Sequence, residues 1–429
     1  MLHVSRIVLF LLTLSYIFSL TTKITYTVLY ATILGILFFY KRNEDIREAW
    51  LSTWHEEKYF LLLSILVGLS FSVSLLYYRE AANHFNMLKQ FIQYIIFPIF
   101  FIPFWGQLCQ HAERIIKRTM AISFVGLTSI LLYQSIFLHI NRPTAWFASP
   151  ASNWMAGMLC MFSFWFLVHD TGEQEKDRLL SILTVLCIGI ALTILKSRGA
   201  FLGFSVAFLV MVGYAIYGKV KQYSPVFSLM KTSMLILGII IGLVLPTASD
   251  SMIGRLAQVT QSAQNISIQT DNAQVINTKQ EHNADSERIY LWQSAILMIH
   301  DHWAIGVGFD NFNYAYTHGY MNANAKNPEL ESPHNVILHI WSETGVLGLI
   351  MYMVFWCYTI YYVVFPLRQH NPIAIVLLLG IIVSWVHGMV DYGLLQRSIS
   401  QLMSLYLGLL ILHQIALQKG NKSAWKQTH

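Results

Sequence analysis

Charge is scarce in this chain of 429 residues. Only 12% of them are Asp, Glu, Lys or Arg, where a soluble domain carries about 25%. That shortfall excludes an ordinary soluble enzyme and a disordered chain. Cysteine is scarce too, with four in total (Cys109, Cys160, Cys187 and Cys357), and none lies in the one large polar stretch. A disulfide scaffold and a cysteine-held metal are therefore excluded. There is no phosphate-binding G-x-x-x-x-G-K-[ST] loop, no G-x-G-x-x-G fingerprint, no H-E-x-x-H zinc motif and no D-x-D carboxylate clamp. What is abundant is apolar: 55% hydrophobic and 14% aromatic residues, with a mean hydropathy of +0.51. These residues come in long unbroken runs, which define a multi-pass membrane protein.

A spanning helix needs roughly 20 mainly apolar residues. The runs predict an all-α polytopic protein with twelve spans, at 6–20, 24–40, 59–78, 90–105, 119–140, 154–169, 179–195, 200–217, 232–248, 345–364, 373–390 and 401–416. The first follows Arg6 and resembles a signal peptide, but lacks a small-x-small cleavage site and is read as a retained helix. With the N-terminus cytoplasmic, the cytoplasmic segments hold 17 Lys and Arg against 7 in the short loops opposite. Long loops do not enter this rule, so the asymmetry predicts both termini in the cytoplasm. It also accounts for the net charge of +6 without a nucleic-acid partner.

Three parts follow: nine spans in 1–248, a large periplasmic loop in 249–335, then a periplasmic helix, three spans and a cytoplasmic tail in 336–429. The loop opens with a stretch rich in Asn, Gln, Ser and Thr, Gln258–Asp285, read as a lid or mobile loop. No internal repeat and no inverted pair of broken helices is evident.

Several sites carry chemistry. Lys196-Ser197-Arg198-Gly199 is a tight outer junction between two spans, and no Asp or Glu occurs from Arg178 to Ser249. Arg is the side chain best shaped for a bidentate grip on phosphate; interfacial snorkelling is the rival explanation. In Asp285-Ser286-Glu287-Arg288-x-x-x-Trp292, Asp285 or Ser286 can cap a helix running to about His300. Arg288 then shares a face with Trp292, Ala295 and Ile299, and faces either an anion or a salt-bridge partner. In Ser332-Pro333-His334-Asn335, Ser332 suits the N-cap and Pro333 the first helical position, with Gly345 as the stop. His334 would lie in the first turn, where the dipole disfavours imidazolium and leaves a ring able to take a proton. A hydrogen-bonded interfacial histidine is the alternative. His387 and Asp391, four apart at the end of the eleventh span, and Arg142 in an outer loop are supporting candidates, as is Lys196. His300-Asp301-His302 does not suit a metal, because residues two apart diverge on a helix.

These motifs, in this order, resemble the bacterial O-antigen ligase family, which shares a region with O-antigen polymerases and some protein O-oligosaccharyltransferases. The matching stretches are Ser197-Arg198-Gly199-Ala200-Phe201-Leu202-Gly203, Arg288-x-x-x-Trp292 leading to Gly306-Val307-Gly308, and His334-Asn335-x-x-Leu338 followed by Glu343-Thr344-Gly345-Val346-Leu347-Gly348. The N-terminal third is similar in topology only, and Asn153-Trp154 stands where many relatives carry Asn-Pro.

The resemblance implies a GT-C-like, inverting glycosyltransferase of lipopolysaccharide biosynthesis in the cell inner membrane. It would move O-antigen glycan from undecaprenyl diphosphate to the lipid A-core at the periplasmic face, without metal, ATP or other cofactor. The family's two essential arginines map onto Arg198 and Arg288, and its histidine onto His334. Two rivals stay open: an O-antigen polymerase, and a flippase or transporter of lipid-linked glycan.

Overall fold

The computed structural model describes residues 2–17, 43–77, 99–109, 112–140, much of 202–213, 284–322 with Ala325, 332–368, 372–389 and 404–418. Among these residues every regular element is helical, as the apolar runs predict. The elements are α1 (Leu2–Ile17), α2 (Glu44–Tyr77), α3 (Ala112–Ile136), α4 (Ala284–His302), α5 (Phe312–Ala315) continued by a π turn at Tyr316–Tyr320, α6 (Val336–Arg368) and α7 (Pro372–Gly388). Among the described residues, three stretches are long and apolar enough to cross a membrane: Glu44–Ser74, Arg114–Ile136 and Val336–Val364. Leu377–Gly388 and Ser404–Gln418 are apolar but shorter. The spans expected at 24–40, 154–169, 179–195 and 232–248, and most of the polar stretch from Gln258, lie outside the described residues.

The third expected span starts earlier than its apolar run. Hydropathy places its start at residue 59, whereas α2 begins at Glu44. The cause is local. Asn43 Oδ1 accepts from the Ile46 amide at 3.2 Å, and Glu44 and Asp45 fill the first turn, where the helix dipole favours negative charge. A helix of 34 residues is about 51 Å long at 1.5 Å per residue, well beyond a hydrocarbon core of about 30 Å. The polar N-terminal turns therefore project from the bilayer. Residues 99–107 pack on this projection: the Trp50 ring meets Phe100 edge-on at 4.7 Å, and the Gln107 amide donates to Thr53 Oγ1 at 2.8 Å.

Packing of α2 against α6 forms the spine. Buried Phe60 sits among Tyr358 at 4.8 Å and Tyr362 at 5.0 Å. Further along, α7 folds back on α6, with Trp385 6.1 Å from Trp356 and 6.2 Å from Tyr352. Within α6 the backbone breaks at Gly345, where φ is 66° and ψ is −173°. A short helix, Val336–Thr344, thus precedes the spanning part, and the stop expected at Gly345 is present. Only glycine takes this conformation readily. A Cβ there would also collide with the Ala304 carbonyl.

Candidate active site

The site is built where α4, the turn before α6 and the end of α7 meet. On α4, Tyr290, Leu291, Ala295 and Met298 are buried in a core completed by Val307, Phe312, Tyr316 and Ala325. Arg288, Trp292 and Ile299 are half-buried, so the stripe expected from sequence is the shoulder of the buried face rather than its centre. α4 also begins at Ala284, which places Asp285 and Ser286 inside the first turn instead of at the cap. Burial, reinforced by the Glu287 carboxylate, pushes the Tyr290 and Tyr316 phenols up. Both hydroxyls therefore stay protonated near neutral pH.

Trp292 provides the link to the histidine. Its Nε1 donates to the Pro333 carbonyl at 2.7 Å, the peptide unit that leads directly into His334. Arg288, one turn earlier on α4, is thereby carried on a helix pinned to the His334 turn.

The expected start of the histidine helix needs correction. α6 begins at Val336, and Asn335 is its cap: Asn335 Oδ1 accepts from the amides of Ile337 and Leu338, both at 3.1 Å. Ser332, the expected cap, instead accepts from the His334 amide at 3.4 Å. A short amide oxygen that reaches two free N–H groups outcompetes a serine placed three residues earlier. His334 consequently precedes the helix, half-buried, with φ of 51°. A left-handed backbone at a residue other than glycine is uncommon and costs on the order of 1 kcal/mol. The surrounding hydrogen bonds hold it there.

The same asparagine ties the turn to α7, donating through Nδ2 to the Met389 carbonyl at 3.1 Å. Buried His387 lies two residues before Met389. Gly203 packs so closely on α7 that a Cβ would lie 3.0 Å from the Val383 carbonyl oxygen. The residues following the Arg198 motif therefore sit against the helix that carries His387. Arg142, Lys196, Arg198 and Asp391 themselves lie outside the described residues.

Sequence reasoning named Glu343 only within a matching stretch and gave it no role. Its buried carboxylate accepts from the Asp310 amide at 2.9 Å and the Phe312 amide at 3.1 Å, and pairs with His339 Nε2 at 3.2 Å. Around it the backbone of 306–308 runs against the end of the short helix. Val307 N donates to Ser342 O at 2.8 Å and Gly308 N to Glu343 O at 2.9 Å. Gly306, with φ of 79°, lies so close that a Cβ would strike the Glu343–Thr344 peptide. The Phe309 amide donates to Ser74 Oγ of α2 at 3.0 Å. The His339–Glu343 spacing of four on one helix was the available signal.

The His300-Asp301-His302 cluster forms a hydrogen-bond chain. His300 Nδ1 lies 2.9 Å from Asp301, while the Tyr320 hydroxyl donates to Asp301 at 3.1 Å and stands 3.1 Å from His302 Nε2. The bonds from His300 and then Tyr320 hold the Asp301 carboxyl below the usual range. Among the described residues no three His, Cys, Asp or Glu side chains group as a metal site would.

Residues 183–353, about two-fifths of the chain, match the family model described as O-antigen ligase. This stretch takes in Arg198, Arg288 and His334. No curated protein matches the chain.

Proposed function

We propose that the protein is an O-antigen ligase that transfers glycan from undecaprenyl diphosphate to the lipid A-core oligosaccharide at the periplasmic face of the inner membrane. The observation that carries this reading is the family match across 183–353, in which the helix of Arg288 is bonded to the turn of His334.

As the glycosyl bond breaks, negative charge grows on the diphosphate leaving group. Preorganised cations aimed at that charge lower the barrier, and this is the role assigned to Arg288 and Arg198. The acceptor hydroxyl must lose its proton as it attacks the opposite face of the sugar, and His334 is assigned as the base. A diphosphate departs well without a strong general acid, and it carries the energy of the reaction, so neither nucleotide nor metal enters the scheme. Lys196, Arg142, His387 and Asp391 are assigned supporting roles around the polar groups of the two lipids. Apolar clefts between spans would accommodate the lipid tails.

The test is a lipopolysaccharide gel of cells lacking this protein. Loss of a ligase leaves bare core, with polymerised glycan on its lipid carrier. Single-repeat chains on the core would point to a polymerase instead. Absence of any glycan outside the cytoplasm would point to a flippase.

A further inference from the structure

We propose that the C-terminal half of α4 docks on the lipid surface, with Trp303 as its interfacial anchor. Residues 296 and 300 share one helix face by their spacing of four, Leu297 borders it, and Trp303 directly follows the last helical residue, His302. Ile296 and Leu297 are each 54% exposed and Trp303 is 60% exposed. The opposite face, with Leu291, Ala295 and Met298, is buried. Three large apolar side chains on one exposed stripe exceed the scattered single exposures that soluble surfaces tolerate.

The backbone states where this stripe lies relative to the bilayer. The Trp303 carbonyl accepts from the Val346 amide at 2.8 Å and from Trp341 Nε1 at 3.3 Å. Val346 follows the Gly345 break, where the apolar run read from the sequence as a span, 345–364, begins. Leu347 and Ile350, exposed on the outer face of that span, stand on the next turn. Trp303 is thus pinned at the level where an apolar span meets water. Tryptophan concentrates at that level, because its ring is amphipathic. The stripe continues the lipid-facing surface of α6, and the occupant that fits it is the same bilayer. His300 lies on this face with Ile296, and Asp301, exposed and hydrogen-bonded to Tyr320, marks its polar edge. This docking does not depend on the transfer reaction. It would nonetheless hold Arg288, at the other end of α4, close to the membrane surface.

The experiment uses the full chain, its four cysteines replaced by alanine, in phosphatidylethanolamine–phosphatidylglycerol vesicles. A nitroxide label is attached in turn to Leu297→Cys, Trp303→Cys and Asp301→Cys. Collision with oxygen, which concentrates in lipid, is compared with collision with a water-soluble nickel chelate. The expected result is an oxygen-to-nickel ratio severalfold higher at 297 and 303 than at 301. Leu297→Cys keeps Trp303 in place, so the test survives if the Trp303 variant fails to fold. Equal nickel accessibility at all three positions would overturn the proposal. Shielding of 297 and 303 from both reagents would also overturn it, because a protein surface would then cover the face.

Discussion

Replacing Glu343 with Gln removes one charge and almost no volume, which isolates what the carboxylate does. Its two oxygens serve different partners: Oε2 takes the Asp310 amide, while Oε1 takes the Phe312 amide and the His339 ring. A glutamine has one oxygen and one NH2 group, so one of these donors must face another donor. Hydrogen bonds to a charged group contribute about 1.5–3 kcal/mol each, and breaking a buried ion pair costs about 3–5 kcal/mol. Glu343→Gln should therefore destabilise the protein by about 3 kcal/mol, and Glu343→Ala by more, since alanine loses every acceptor and leaves a cavity. The loss falls on the clamp that joins the 306–312 loop to the helix following His334. Glycan transfer should drop with stability, and in the order wild type, Gln, Ala. Denaturation of purified protein in detergent, followed by tryptophan fluorescence, measures the first effect; transfer from lipid-linked glycan to lipid A-core measures the second. A Glu343→Gln protein as stable and active as wild type would refute the argument that the charge fastens the clamp.

Gly345→Ala should reduce folded yield sharply, because its backbone conformation is one that only glycine adopts readily and its Cβ would meet the Ala304 carbonyl; size-exclusion chromatography reads this out. Trp292→Phe keeps the ring but loses the bond to Pro333, at a stability cost of about 1 kcal/mol. Its turnover should fall about tenfold or more, since a displacement of about 1 Å at a reacting group can cost about a hundredfold; unchanged turnover would mean that the bond does not position the histidine. Arg198→Lys keeps the charge but not the planar two-donor grip. It should lose roughly ten- to hundredfold in transfer rate, given about 1.5–3 kcal/mol for a charged contact, whereas a normal rate would favour simple snorkelling.

How much of this was legible in the sequence depends on the range of the interaction. The apolar runs announce the helices at 119–140, 345–364 and 373–390, and Gly345 announces its own break, because these are properties of neighbouring residues. The start of α2 was invisible to hydropathy: residues 44–58 are polar, and the helix there is set by the Asn43 cap. The cap of α6 was misread because Ser332-Pro333 carries a conventional helix-start pattern, and only the backbone at His334 reveals that Asn335 takes the role. Glu343 was noticed as part of a motif but not as a clamp. Its partners at 310 and 312 are separated from it by 33 and 31 residues, and no periodicity encodes such a pairing. The same holds for Trp292 with Pro333, 41 residues apart, which brings the turn of His334 to the helix of Arg288.

The central claim is that His334 removes the acceptor's proton, and single-turnover transfer by His334→Ala across a range of donor concentrations tests it most directly. One titration gives both donor affinity and the rate of the chemical step. The account predicts near-normal affinity with a rate reduced about 10²–10⁴-fold, the usual range for a positioned acid–base group. Lost affinity with a normal rate at saturating donor would contradict it: His334 would then be a ligand of the diphosphate, and the base would lie elsewhere.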